Sequence, residues 1–70
     1  MNAPASAKRQ AAVEKMQTTE NYIIVYYLLP AQLPQEPNPF ERMSKRRWEF
    51  VFMIWRRELS RIAAGVDLTL

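Results

Sequence analysis

The amino-acid sequence predicts a small single domain of the α+β class, and three consecutive segments support that prediction. Residues 22–29 are predicted to form one central strand, residues 30–39 a proline-rich connector, and the following residues up to Gly65 one long amphipathic helix, which could be kinked. A chain of 70 residues allows one domain of this kind. Because so short a chain buries only about 60% of its unfolded surface, its core is expected to be marginal.

The two ends of the chain are expected to lie outside the compact part. Residues 1–12 are rich in Ala, Ser and Lys and lack aromatic side chains, so they are predicted to be a mobile tail. A compact, helix-dominated domain is predicted over residues 13–65. Residues 66–70 alternate apolar and polar side chains, which suits either a short C-terminal strand or a tail.

The strand prediction rests on the segment Tyr22–Leu29. It contains six consecutive β-branched or aromatic residues, and Pro30 ends it. Both faces of such a strand would be apolar, so it would be covered on two sides. A short buried helix is the alternative, because hydrophobic periodicity does not separate the two structures over eight residues.

The connector contains four prolines in ten residues, which fix the backbone in an extended and stiff form. Pro34 and Pro37 have the PxxP spacing that aromatic-lined grooves recognise. A single match of this kind is weak, and a rigid crossing between two elements is the simpler interpretation.

The helix has recognisable start and stop signals. Asn38 can cap it, Pro39 suits its first position, and Glu41 stands three residues after the cap, while Gly65 supplies the stop. Ser44 offers a second cap, so a break near residues 43–45 remains open. At 100° per residue, six apolar side chains fall within an arc of about 100° and form a predicted core stripe: Trp48, Val51, Phe52, Trp55, Leu59 and Ile62.

The opposite face of this helix mixes apolar and basic side chains. Residues 41–64 contain seven Lys or Arg and three Glu, so this segment carries a net charge of +4 in a chain whose total is +3. The face is either covered within a tiny domain or exposed as a docking surface, since Arg and aromatic residues are enriched where proteins bind each other. The predicted partner-binding residues are Arg46, Arg47, Phe50, Ile54, Arg57 and Arg61.

Several function classes are disfavoured by composition. The chain has no Cys and no His, and one Gly, so thiolate and imidazole metal sites, the common catalytic triads and glycine-rich phosphate loops are absent. We therefore expect a non-enzymatic protein without a cofactor. Neither a signal peptide nor a segment long enough to cross a membrane is visible, which predicts a cytoplasmic protein with no membrane partner.

The order of segments resembles that of small host-takeover proteins of lytic bacteriophages, in particular an RNA-polymerase-binding transcription regulator of a phage that infects Xanthomonas. The resemblance covers about residues 14–64 and includes the run at 21–30 and the segment at 38–52, but no short diagnostic motif. It implies a protein that binds the β and β′ subunits of bacterial RNA polymerase, displaces the sigma factor and promotes antitermination. It transfers no site residues, and it places the protein in the host bacterial cytoplasm.

Two other functions fit the same charge pattern. A small basic nucleic-acid-binding protein would use the cationic helix to contact phosphates, and even a polymerase-bound protein could lie close to nucleic acid. An amphipathic peptide that folds only on anionic membranes would also have Lys or Arg opposite Trp and Phe. No zinc-finger, RNA-recognition or helix-turn-helix signature supports the first of these.

Overall fold

The computed structural model describes residues 5–66, which contain three α-helices and one turn of 3-10 helix. Helix α1 spans Ala5–Met16, α2 spans Glu20–Leu28 and α3 spans Lys45–Ala64. The 3-10 turn, Pro30–Gln32, follows α2 directly. The predicted C-terminal strand lies almost wholly outside the described residues, and Val66, the part of it that is described, belongs to no helix or strand.

The α+β prediction is wrong, because the segment 22–29 forms most of α2 and residues 5–66 contain no strand. A strand needs a neighbour to receive its backbone hydrogen bonds, and the described residues supply none. A helix satisfies the same groups internally, and packing overrides the β preference of the side chains. The alternative of a short helix is therefore the correct interpretation, although only one side of α2 is buried.

The predicted boundary between tail and domain, at residues 12 and 13, falls inside α1. From Ala5 onwards the segment is helical, which suits its content of Ala, Lys, Arg and Gln. Arg9 ties this helix to the rest of the chain, since its guanidinium donates hydrogen bonds to the carbonyl oxygens of Glu41 at 3.4 Å and Met43 at 3.2 Å. Long-range bonds of this kind leave no trace in local composition.

Helix α3 starts at the second of the two predicted caps. Ser44 Oγ accepts a hydrogen bond from the backbone N–H of Arg47 at 3.1 Å, and Gly65 ends the helix as predicted. The first predicted start is wrong: Asn38 instead closes a turn, in which its Oδ1 accepts from the Phe40 N–H at 2.9 Å. The helix is continuous from Lys45 to Ala64, so the break near residues 43–45 is its beginning and not a kink.

The two candidate starts can be separated by a matched pair of alanine variants. We expect Ser44→Ala to lower the free energy of unfolding by about 1 kcal/mol, because one N–H of the first turn loses its acceptor. Glu41→Ala should change it by less than about 0.5 kcal/mol, since Glu41 precedes the helix and its side chain makes no hydrogen bond within residues 5–66. Urea unfolding followed by circular dichroism measures both. The reverse order of effects would contradict the start at Lys45.

The hydrophobic core joins α2 to one side of α3. Its buried side chains are Val13, Val25, Trp48, Trp55, Leu59 and Ala63. The predicted core stripe is confirmed, because three of its members are buried and the other three, Val51, Phe52 and Ile62, are half-buried. Outside the core, Asn21 Nδ2 donates to Ser60 Oγ at 3.0 Å and fixes the start of α2 beside the end of α3.

The proline-rich segment is held against the helices by side-chain hydrogen bonds. Trp48 Nε1 donates to the carbonyl oxygen of Asn38 at 3.0 Å, and the hydroxyl of Tyr22 donates to Glu36 at 3.2 Å. Partial burial, and then the nearby Glu36 carboxylate, raise the pKa of Tyr22 above its ordinary value. The connector therefore packs along the bundle, with Pro37 buried.

Candidate functional site

All six predicted partner-binding residues lie on one exposed face of α3, which we call the α3 outer face. Every one of them is exposed, and Phe50 and Ile54 keep 57% and 43% of their surface accessible to solvent. The face comprises Arg46, Arg47, Phe50, Ile54, Arg57 and Arg61. The sequence left open whether this face is covered within the domain or exposed. Within residues 5–66 it is exposed, so the interpretation that the domain covers it is wrong.

The buried stripe of the same helix explains why these side chains point outward. Trp55 and Leu59 are fixed in the core, with exposures of 2% and 0%. At 100° per residue, the six residues of the α3 outer face span an arc of about 100° around the helix. The centre of this arc lies roughly opposite to Trp55 and Leu59. From Arg46 to Arg61 the face runs for about 22 Å along the helix axis.

The apolar side chains of this face have the spacing of helix anchors. Phe50, Met53 and Ile54 stand at positions i, i+3 and i+4, and all three are exposed. Helices that dock into a hydrophobic groove use this pattern, extended by a residue at i+7. In α3 the i+7 position is Arg57. It lines a shallow depression of about 430 Å³ with Ile54, Glu58 and Arg61.

Positive charge dominates α3, which carries six Lys or Arg and two Glu. Among the described residues there is one ion pair, between Arg61 and Glu58 at 2.7 Å, and it is solvent-exposed. The hydrogen bond from Arg61 and its positive charge hold the pKa of Glu58 below its ordinary value. The same hydrogen bond and the negative charge of Glu58 raise the pKa of Arg61. Arg46, Arg47 and Arg57 make no ion pair within residues 5–66, so their charges face solvent and attract anionic groups.

A second basic feature, missed at the level of sequence, is a cleft of about 490 Å³ between α1 and the start of α3. Lys8, Arg9 and Lys45 stand around it together with one carboxylate, that of Glu49. Trp48 and Phe52 form its apolar wall. The Arg9 guanidinium lies over the Trp48 ring at 5.3 Å, in a cation–π arrangement. The cleft joins α1 to α3, a contact that could not be expected while residues 1–12 were assigned to a tail.

The described residues contain no group of three or more His, Cys, Asp or Glu side chains placed to hold a metal ion. None of the helices between residues 5 and 66 is both long and apolar enough to cross a membrane.

No family model, curated protein or solved structure significantly matches this chain.

Proposed function

We propose that this chain is a non-enzymatic regulator of transcription that docks the α3 outer face on bacterial RNA polymerase. The observation that carries the proposal is the exposed combination of apolar anchors and arginines on one face of one continuous helix. The identity of the partner comes from the resemblance in segment order described above. Sigma-factor displacement and antitermination follow from the same resemblance, as does action in a bacterial cytoplasm.

The chemistry of the face defines the surface that it would fit. Phe50 and Ile54 would enter an apolar groove, as the central anchors of a helix-in-groove contact. Arg46 and Arg47 at one end, and Arg57 and Arg61 towards the other, would meet carboxylates at the rim of that groove. The β and β′ subunits would provide this acidic and apolar surface, and a helix seated there would compete with whatever segment of the sigma factor uses it.

The proposal is tested by charge reversal on the α3 outer face. We expect Arg46→Glu combined with Arg57→Glu to weaken binding to core RNA polymerase by at least about 100-fold, because two attractive contacts become repulsive. Both side chains are exposed and unpaired within residues 5–66, so the circular dichroism spectrum should not change. Biolayer interferometry with immobilised core polymerase measures the affinity.

A control with the same change in net charge separates a specific face from general attraction. Lys8→Glu combined with Lys15→Glu alters two exposed lysines on α1 and leaves α3 intact. This variant should bind polymerase within about threefold of the unaltered protein at physiological salt. Equal losses for both variants, or no loss for the α3 variant, would contradict docking through the α3 outer face.

The concentration of six cationic side chains on α3 favours nucleic acid as a second candidate partner. A phosphate-binding helix would bind bare DNA or RNA with an affinity that falls steeply as salt rises, the slope counting the neutralised phosphates. Docking on polymerase requires no binding to bare nucleic acid at physiological salt. A fluorescence-anisotropy titration with labelled DNA and RNA at several salt concentrations therefore separates the two candidates.

A further inference from the structure

The cleft between α1 and the start of α3 has the size and the lining of a small-molecule site. Its volume of about 490 Å³ lies within the range of roughly 300–1,000 Å³ that is usual for ligand pockets. Ala5 and Ala12 line it from α1, and Trp48 and Phe52 line it from α3. Its lining is therefore largely apolar, with a few charged groups around it, which is the combination found where proteins bind small organic molecules.

One of the cations at the cleft, Arg9, is committed to holding the two helices together. Its side chain is half-buried and donates hydrogen bonds to the carbonyl oxygens of Glu41 and Met43. Its guanidinium also lies over the Trp48 ring, 5.3 Å from the ring centre. Arg9 therefore fixes α1 beside α3 and shapes the cleft, which leaves the two lysines as its uncommitted cations.

The uncommitted charges of the cleft favour a ligand with one negative charge. Lys8 brings an ammonium group from α1 and Lys45 brings one from α3, and neither forms an ion pair within residues 5–66. Glu49 brings one carboxylate, which is also unpaired in that part of the chain. Two ammonium groups and one carboxylate leave a net charge of +1. A single carboxylate on a ligand neutralises this charge, whereas Glu49 would repel a polyanion such as nucleic acid.

The aromatic wall of the cleft indicates that the rest of the ligand is apolar. The rings of Trp48 and Phe52 are stacked, with centroids 5.3 Å apart and planes inclined by 16°. Trp48 is only 4% exposed, and its Nε1 is bonded to the carbonyl oxygen of Asn38. It therefore offers no open ring face on which a nucleobase could stack. An apolar body that covers the wall would instead gain from burial while both rings keep their positions.

We propose that this cleft binds a small organic anion that carries one carboxylate on an apolar body. The carboxylate would meet the ammonium groups of Lys8 and Lys45, and the body would lie against Trp48 and Phe52. Aromatic carboxylates and medium-chain fatty acids share this chemistry, and naphthoate and octanoate represent them as probes. The proposal goes beyond docking on polymerase and does not depend on it, since none of these four residues belongs to the α3 outer face.

A nuclear magnetic resonance titration of the isotope-labelled full chain with naphthoate tests the site. We expect saturable shifts of the Trp48 indole N–H and of the Ala12 and Glu49 amides, with a dissociation constant on the order of 0.1–1 mM for a ligand of this size. Neutral naphthamide and inorganic phosphate should each bind at least about tenfold more weakly, because one lacks the charge and the other lacks the apolar body. Octanoate is titrated in parallel, and the tighter of the two carboxylates identifies the body as aromatic or aliphatic.

Three variants test the roles of the charges. Lys8→Gln combined with Lys45→Gln should weaken naphthoate binding at least about tenfold, and Glu49→Gln should strengthen it about threefold, because the repelling carboxylate is gone. The matched control, Lys15→Gln combined with Arg42→Gln, removes two exposed cations that do not line the cleft. It should leave the affinity within about twofold.

Unchanged circular dichroism would verify that the variants are folded, since every substituted side chain is exposed and unpaired within residues 5–66. The proposal would be overturned by the absence of a saturable shift up to about 10 mM naphthoate, or by equally tight binding of naphthamide or phosphate. Shifts confined to residues outside the cleft, such as Phe50 and Ile54, would also overturn it. So would equal losses in the lysine variant and its matched control.

Discussion

Replacing Trp55 with alanine is expected to unfold a large share of the protein. Trp55 is 2% exposed and stands at the junction of the core, with its ring 6.2 Å from Tyr22 of α2 and 5.7 Å from Phe52. Truncating a buried Trp costs about 3–5 kcal/mol, through lost burial and the cavity left behind. A domain of this length has a total stability of roughly 4–10 kcal/mol, so this single change removes most of it.

Urea unfolding monitored by circular dichroism measures this loss, and Trp48 remains as a fluorescent reporter. Trp55→Phe is a useful control, because the indole Nε1 is buried and has no hydrogen-bond partner within the described residues. Removing an unpaired N–H offsets part of the lost packing, so we expect a cost below about 1.5 kcal/mol. Phe50→Ala, on the exposed face, should cost less than about 0.5 kcal/mol. An unchanged midpoint for Trp55→Ala would contradict the orientation of α3.

The second large effect concerns α2 and tests its helical structure directly. Tyr26→Pro should destabilise the protein by about 3 kcal/mol or more, since proline removes one backbone donor and clashes with the preceding turn. Glu20→Pro, in the same helix, should cost less than about 1 kcal/mol. Proline is favoured at the first position of a helix, and Thr19 before it already has the extended backbone that a following proline requires.

The helix content of the two proline variants tests whether residues 22–29 form a helix. A strand over residues 22–29 would leave Glu20 outside the element, so the order of effects alone does not decide it. Helix content does: the mean residue ellipticity at 222 nm should fall in the Tyr26→Pro variant and remain nearly unchanged in Glu20→Pro. A loss of stability in Tyr26→Pro without any loss of ellipticity would contradict a helical α2.

Helix α3 could be predicted from sequence because its signals are local and agree with each other. The spacing of Trp48, Trp55 and Leu59 defines the buried side, and Gly65 marks the end. The start was ambiguous between Asn38 and Ser44, since both are good caps with suitable residues after them. The choice depends on the turn at residues 38–41, where Asn38 bonds to the backbone of Phe40 and also accepts from Trp48.

Helix α2 could not be predicted, because eight apolar residues satisfy the pattern of a strand and of a helix equally. Its β-branched and aromatic side chains favoured the strand, and only the absence of a partner strand within residues 5–66 decides against it. The residue Glu20 after Thr19 was the one local sign of a helix start. The exposed apolar side of α2 was missed for the same reason, since the spacing of Ile23, Tyr26 and Tyr27 has meaning only on a helix.

The candidate site was predictable to the extent that it belongs to α3. Once the buried stripe was identified, geometry placed Phe50, Ile54 and the arginines opposite to it, and their exposure agrees with that placement. The basic cleft beside Trp48 was not predictable, because it depends on Arg9 reaching residues 41 and 43 across more than thirty positions of sequence. Long-range contacts of that kind follow from tertiary packing and have no local pattern.

Photocrosslinking from the α3 outer face to purified core RNA polymerase tests the central claim most directly. The photoreactive analogue p-benzoylphenylalanine would replace either Phe50, on that face, or Phe40, which is at least as accessible in the turn before α3. We expect position 50 to crosslink to the β or β′ subunit and to be competed by unlabelled protein, with little crosslinking from position 40. Polymerase crosslinks from position 40 alone, or from neither position, would contradict docking through the α3 outer face.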